Sequence, residues 1–369
     1  MNETGQNHKD DKKNLKRGWT TGACATAATK SALYALINGK FLDPVTIKLP
    51  GGQTPSFALS KNKLNKIYAK AAIIKDAGDD PDVTHGATIV VKITYAKKSE
   101  GIIFHAGKGV GTITKAGLKL DIGEAAINPA PRQMMIAEIE QICKRFNIAA
   151  DFNIYISVPS GKKIAKKTWN ERLGILGGIS ILGTSGIVIP YSCSAWINSI
   201  HSGIDVARAN DIEHIIGATG NMSENAAKAY FNLPNLAYID MGDFVGGLLK
   251  YARKNPVKRI TIAGGFAKIS KLAQGATDLH SKRSIVDFNM LANEIKLLGG
   301  DEIIIKKALN ANTANEVLEL SQKTNISLAN SIANNAKFQA IKTLKNNNIK
   351  LDILIINKRG EIVAFTGDL

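Results

Sequence analysis

The spacing of apolar positions changes near the middle of the chain. Up to Pro159 they fall in short runs: VTIKLP, SFALS, KIYAKAAIIK, TIVVKITYA, IIFHAGKGVGTIT and DFNIYISVPSG. Such runs, bounded by glycine, proline and polar residues, predict half-buried strands. Two helices interrupt them. One runs through ACATAATKSALYALIN, with Thr20 or Thr21 as its cap and alanines that let it sit close to a sheet. The other is Arg132 to Phe146, started by Pro129 and Pro131. Strands gathered together with few helices predict a mostly antiparallel or mixed sheet. From Gly186 the rhythm becomes strand then helix. IVIP precedes a helical segment ending at Ala209. EHIIGATG precedes SENAAKAYF, LAYID precedes GDFVGGLLKYARK, and KRITIAGG precedes AKISKLAQGA. Four such units predict a parallel, Rossmann-like sheet. Two longer helices, around Ile285–Leu298 and Leu328–Lys345, and a terminal hairpin of LDILIIN and EIVAFTG complete it. The expected organisation is a disordered polar tail over 1–16, an α+β domain over 17–185, and a Rossmann-like α/β domain over 186–369.

Between the two patterns lies Lys166–Pro190, where Gly174, Gly177, Gly178, Gly183 and Gly186 alternate with Leu, Ile, Ser and Thr. Repeated glycine signals a close approach, either of backbone to a ligand or of backbone to backbone in a tight crossing. The uncharged stretch Leu173–Ile204 is long enough for a membrane span, which needs ~20 apolar residues. Pro190, Ser192, Ser194, Asn198, Ser199, His201 and Ser202 break it, which favours a protein core. Met1–Lys16 has no apolar segment of the signal-peptide kind, so a cytoplasmic protein is expected. Cys24, Cys143 and Cys193 are far apart, form no C-x-x-C pair, and indicate neither a disulfide framework nor a bound metal. The net charge of +17 points to an acidic partner. With aromatics at only 6% of residues and no nucleic-acid motif, an acidic small molecule fits at least as well as nucleic acid.

Chemistry concentrates in a few segments. Gly217-Ala-Thr219-Gly220 follows a strand and feeds a helix, and Asp240 ends the next strand. That is where a Rossmann-like site puts a carboxylate on ribose, although the full G-x-G-x-x-G fingerprint is absent. A plain strand-to-helix turn is the competing reading. Lys268 and Lys271 lie one helical turn apart in GGFAKISKLAQG and face one ligand or solvent. Asp278, His280 and Ser281 make a small polar cluster, and Arg132 opens a helix where a guanidinium forks onto a carboxylate. Lys75–Gly86 holds Asp76, Asp79, Asp80, Asp82 and His85 in one turn-rich loop. It is either an Asp-rich turn or a ligand-facing loop in which neighbouring charges raise one carboxyl pKa for general-base work. Gly107–Gly111 is an anion nest or a glycine-rich hairpin.

In order, RGWTTGACATAATK, KDAGDDPDVTHGA, GKGVGTITKAGL, GEAAINPAPRQM, KTWNERLGILGGISILGTSGIVIP, MGDFVGG and GGFAKISKLAQGATDLHS resemble the cobalt-precorrin-5B C(1)-methyltransferases, the CbiD family of anaerobic cobalamin biosynthesis. The likeness runs from Arg17 to Ser281, with Ala125 and Ala267 departing from the pattern. It implies methyl transfer from S-adenosylmethionine to carbon 1 of a cobalt-containing corrin precursor, giving cobalt-precorrin-6A. No protein-bound metal, no membrane and no nucleic-acid partner are expected, and a homo-oligomer is one option. With that chemistry, Gly217, Thr219, Gly220, Asp240, Gly242 and Asp243 are candidates for the methyl donor. Thr20, Thr21, Arg132, Asn170, Arg172, Lys268, Lys271 and His280 are candidates for the acidic substrate, and Asp79, Asp80 and His85 for proton handling. Two alternatives are a nucleotide-dependent small-molecule kinase, using GKGVG and GGFAK as phosphate cradles, and a basic RNA-binding protein.

Overall fold

In a computed structural model that describes residues 15–367, Thr20 opens the first long helix, Thr21–Asn38. Its backbone is extended and its Oγ1 accepts the Ala23 N–H at 3.1 Å, satisfying a first-turn donor. The polar tail expected over 1–16 lies, up to residue 14, outside the described residues. Ala23, Ala25, Ala27, Ala28 and Ala32 are fully buried. Their small size lets the helix lie on the strands Tyr68–Ile74 and Thr88–Tyr95 and against the second helix. That helix, Pro129–Phe146, begins three residues earlier than expected, because prolines fit the first turn, where an N–H has no partner anyway.

The sheet beneath runs in the order Lys61–Leu64, Tyr68–Ile74, Thr88–Tyr95, Phe152–Ser157, Ile102–Ala106. The first three pairings are antiparallel and the last is parallel, so the sheet is mixed. One face carries the core, with Ala69, Ile73, Ile89, Val91, Ile93, Ile154 and Ile156 buried.

The glycine-rich segment folds as turns and two-residue strands. Ile175–Leu176 pairs with Thr112–Ile113, and Ile187–Val188 with Gly18–Trp19. Its closest approach is backbone to backbone: a Cβ on Gly178 would collide with the Gly109 carbonyl, as would one on Gly161. The stretch Gly107–Gly111 is therefore filled by its own chain. Ile179 N–H donates to the Gly109 carbonyl at 3.0 Å, and Val158 N–H to that of Lys108 at 2.8 Å.

The chain divides into two compact units between Ser192 and Cys193. In the second, the strand order is Tyr238–Asp240, His214–Ala218, Arg259–Gly265, Lys350–Ile356, Ile362–Phe365. Three pairings are parallel and the last is antiparallel. The expected parallel sheet is present, with one difference. IVIP does not join it, because Ile187–Val188 is taken by Gly18–Trp19 in the first unit. The fourth parallel strand is instead Lys350–Ile356, the first arm of the terminal hairpin. Two further helices, Glu302–Leu309 and Ala314–Lys323, lie between the two longer ones. Each starts from a capping side chain, Asp301 on the Ile304 N–H and Thr313 on the Glu316 N–H. This unit has its own core, in which Ile215, Ile260, Ile262 and Ile353 pack with Leu248, Phe266, Leu272 and Ile332. No helix among the described residues is long and apolar enough to cross a membrane.

Candidate functional site

Ligands of open α/β sheets bind beyond the carboxyl ends of the strands, where neighbouring connections diverge. In the second unit that edge is marked by one cation. Lys268, in the Phe266–Ala273 helix, donates from Nζ to the Thr219 carbonyl at 2.9 Å and lies 3.0 Å from Asp243 Oδ1. It therefore joins the segments that leave three adjacent strands. Gly220 and Gly265 each precede a helix, and a Cβ on either would meet nothing within 4 Å. Both helix starts thus have open room beside first-turn N–H groups that no N-cap side chain bonds. Gly217 serves a different purpose: a Cβ there would crowd Leu248 and Met241, so its size is used by the core. Gly242, at φ +55°, lies against the Trp196 ring, whose Nε1 donates to the Asp240 carbonyl at 3.1 Å.

Behind the edge, Lys271 is buried and donates to the Leu279 carbonyl at 2.9 Å. The Leu279 N–H in turn donates to the Asp243 carbonyl at 2.9 Å. Lys271 thus holds the segment that backs Asp243. His280, the next residue, is exposed, and its Nδ1 accepts the Lys282 N–H at 3.2 Å. Asp278 pairs with Arg283, which also donates to Cys193 Sγ at 3.4 Å. Of the candidates in this unit, Thr219, Gly220, Asp240, Gly242, Asp243 and Lys268 come together. Sequence reasoning missed Trp196, and also Ser223, whose Oγ donates to the Gly220 carbonyl at 2.9 Å. The signal for both was faint: a tryptophan and a serine in the first turns of two helices.

In the first unit, every acid of the aspartate loop has its own donor. Asp76 takes Lys16 Nζ at 2.7 Å, Asp79 the Lys16 N–H at 2.6 Å, and Asp80 the Tyr191 N–H at 2.8 Å. Asp82 takes the buried Lys75 Nζ at 2.7 Å. The hydrogen bond from Lys16 holds the Asp76 carboxyl below its usual range. Burial pushes Asp82 up, but hydrogen bonds from Lys75 and Thr84 outweigh it and the net shift is down. The expected rise of a carboxyl pKa is therefore not found at Asp76 or Asp82, where hydrogen bonds from lysine lower it. His85 accepts the Ala77 N–H on Nδ1 at 3.1 Å, which leaves the ring proton on Nε2.

The remaining candidates hold their own chain together. Thr20 caps its helix, and Thr21 Oγ1 bridges the Leu182 carbonyl and N–H at 3.2 and 3.0 Å. Asn170 is buried and donates to the Gly178 carbonyl at 3.3 Å. Arg132 reaches an internal carboxylate, and through Nη1 alone: it donates to Glu124 at 2.9 Å, while Nε and Nη2 donate to the Ile127 and Ala125 carbonyls at 2.8 and 3.1 Å. Arg172 lies 5.5 Å from the Trp169 ring centroid. Among the described residues, no group of three His, Cys, Asp or Glu side chains is placed to hold a metal ion.

A family model described as CbiD matches residues 8–190, and one described as CbiD, C-terminal domain, matches residues 278–367. The chain belongs to the CbiD family. Relatives of this CbiD chain include a cobalt-precorrin-5B C(1)-methyltransferase of Brucella anthropi, 56% identical over 358 residues and 97% of each chain. One of the same name from Brucella suis is 56% identical over 361 residues and 98% of each. A solved structure, the cobalamin biosynthesis protein (cbiD) of Archaeoglobus fulgidus, is 28% identical. It covers 73% of this chain and 83% of its own, with a TM-score of 0.39.

Proposed function

We propose that the chain transfers a methyl group from S-adenosylmethionine to carbon 1 of cobalt-precorrin-5B, giving cobalt-precorrin-6A, in the cytoplasm. The observation that carries this reading is the 56% identity to cobalt-precorrin-5B C(1)-methyltransferases over nearly the whole chain. The donor site we assign is the carboxyl edge of the parallel sheet. Room at Gly220 and Gly265 and the carboxylates of Asp240 and Asp243 fit a nucleoside that has ribose hydroxyls but no pyrophosphate. S-adenosylmethionine supplies an electrophilic methyl, and the electron-rich macrocycle is the nucleophile. The protein's task is then chiefly to align the two, which is worth ~7–11 kcal/mol of barrier. Lys268 contributes by tying the Thr219 and Asp243 segments together before the ligand arrives, which reduces the ordering cost of binding. Asp79, Asp80 and His85 are the groups we assign to proton movement around the transfer. His85 Nε2 carries the proton available for that role.

The deciding experiment is incubation of purified protein with cobalt-precorrin-5B and methyl-labelled S-adenosylmethionine without oxygen, followed by mass spectrometry. One labelled methyl on carbon 1 is expected. Intact substrate in the presence of folded protein overturns the reading.

A further inference from the structure

The basic residues drawn from the motifs leave the acidic substrate with few partners, since Arg132 and Lys271 hold the protein's own groups. A different set stands on the face of the first sheet opposite the helices. Strand register aligns Lys63 with Lys70, Lys70 with Lys92, Lys92 with Tyr155, and Tyr155 with His105. These five residues form one straight row across all five strands. Lys63 and Lys70 are exposed, and Lys92, Tyr155 and His105 are half-buried. The two long helices pack on the other face, where the core lies.

Three features make this row unusual. The five strands contain no Asp or Glu, and Lys61, Lys63, Lys70 and Lys92 form no ion pair with any described residue. Like charges directly opposite on neighbouring strands repel, so the row is unfavourable without an anion to offset it. Neighbouring strands are ~4.8 Å apart, so the three lysines present cations at regular spacing over ~10 Å of flat surface. Tyr155 is flanked from both sides of its strand: Lys92 Nζ lies 4.3 Å from the ring centroid, and His105 stacks at 4.5 Å and 15°. Single-stranded nucleic acids need open aromatic rings on which bases stack, and the neighbours of Tyr155 already occupy it. The face therefore suits a flat polycarboxylate better than a nucleic acid.

We propose that the Lys63–Lys70–Lys92 row docks the carboxylate rim of the acidic macrocyclic substrate. This rests on the methyltransferase reading for the identity of that substrate. The test compares the wild type, a Lys63→Glu/Lys70→Glu double variant, and a Lys306→Glu/Lys307→Glu control with the same charge change on exposed lysines of the second unit. Two readouts are followed: KM and kcat for cobalt-precorrin-5B, and fluorescence-monitored binding of uroporphyrin I, an octacarboxylate macrocycle. The row variant is expected to raise KM and weaken porphyrin binding about tenfold or more, with a shallower salt dependence. Its kcat and its calorimetric affinity for S-adenosylmethionine should not change, and the control should behave as wild type. Unchanged porphyrin binding in the row variant, or an equal loss in the control, overturns the proposal. So does lysine-dependent binding of a single-stranded RNA oligonucleotide in place of the porphyrin. If the wild type binds porphyrin through the row but transfers no methyl group, the docking proposal stands and the activity reading fails.

Discussion

Asp352 is fully buried in the strand Lys350–Ile356, whose other residues after Lys350 are aliphatic. Its carboxylate takes Arg259 Nε at 2.8 Å and Lys337 Nζ at 3.2 Å. His214 is two strands away, bonded through Nε2 to Thr261 Oγ1, on the strand between, at 2.9 Å. Burial, and then the Arg259 charge, push its pKa down from 6.5 to about 4, with Asp352 opposing. Between those values the unfolded chain binds a proton that the folded chain refuses, so stability rises with pH there. The contribution is complete above about pH 6.5 and is lost as the pH falls towards 4. Urea midpoints at pH 7 and pH 5 should therefore differ, and His214→Gln should reduce the difference. The two lysines of the Phe266–Ala273 helix should separate in the same kind of measurement. Lys271→Met leaves the Leu279 carbonyl unpaired and should cost about 1–3 kcal/mol, read as a lower Tm. Lys268→Ala removes a partly exposed tie and should leave Tm almost unchanged. It should weaken calorimetric binding of S-adenosylmethionine.

At the scale of elements, the crossing of Gly109 and Gly178 sets a strict size limit. Gly178→Ala pushes a methyl into a backbone carbonyl that cannot move aside, and should destabilise the first unit by about 1–3 kcal/mol or more. Chemical denaturation monitored by circular dichroism would show it. The same crossing illustrates what was legible in the sequence. Repeated glycine between Lys166 and Pro190 signals close approach, but composition does not tell ligand from backbone. The helix at Thr21 and the strand at Phe152 are plain in the pattern, because cap chemistry and alternation are local. The pairing of Ile187–Val188 with Gly18–Trp19 is not, because it joins segments far apart in sequence. The residues proposed to hold the methyl donor are visible as glycine turns and a strand-ending aspartate. That Lys268 bonds Thr219 and Asp243 depends on strand order, as does the lysine row, whose members lie on separate runs with nothing to announce their register.

The two large cores have no residue in common, one drawn from Ala23 to Ile181 and the other from Ile200 to Ala364. Each has the makings of an independent folding unit. Residues 193–369 expressed alone should melt in one cooperative transition with native-like far-ultraviolet dichroism, and a broad, non-cooperative loss of signal would refute this. The ends of the parallel sheet carry a different consequence. One edge is the three-residue strand Tyr238–Asp240; the other is the four-residue antiparallel strand Ile362–Phe365, with a register shift at Ile355/Ile356. Short or irregular edges give a second chain little backbone to pair with. Concentrated solutions of this protein should therefore resist edge-to-edge aggregation and fibril formation, even though the central strands are almost wholly aliphatic.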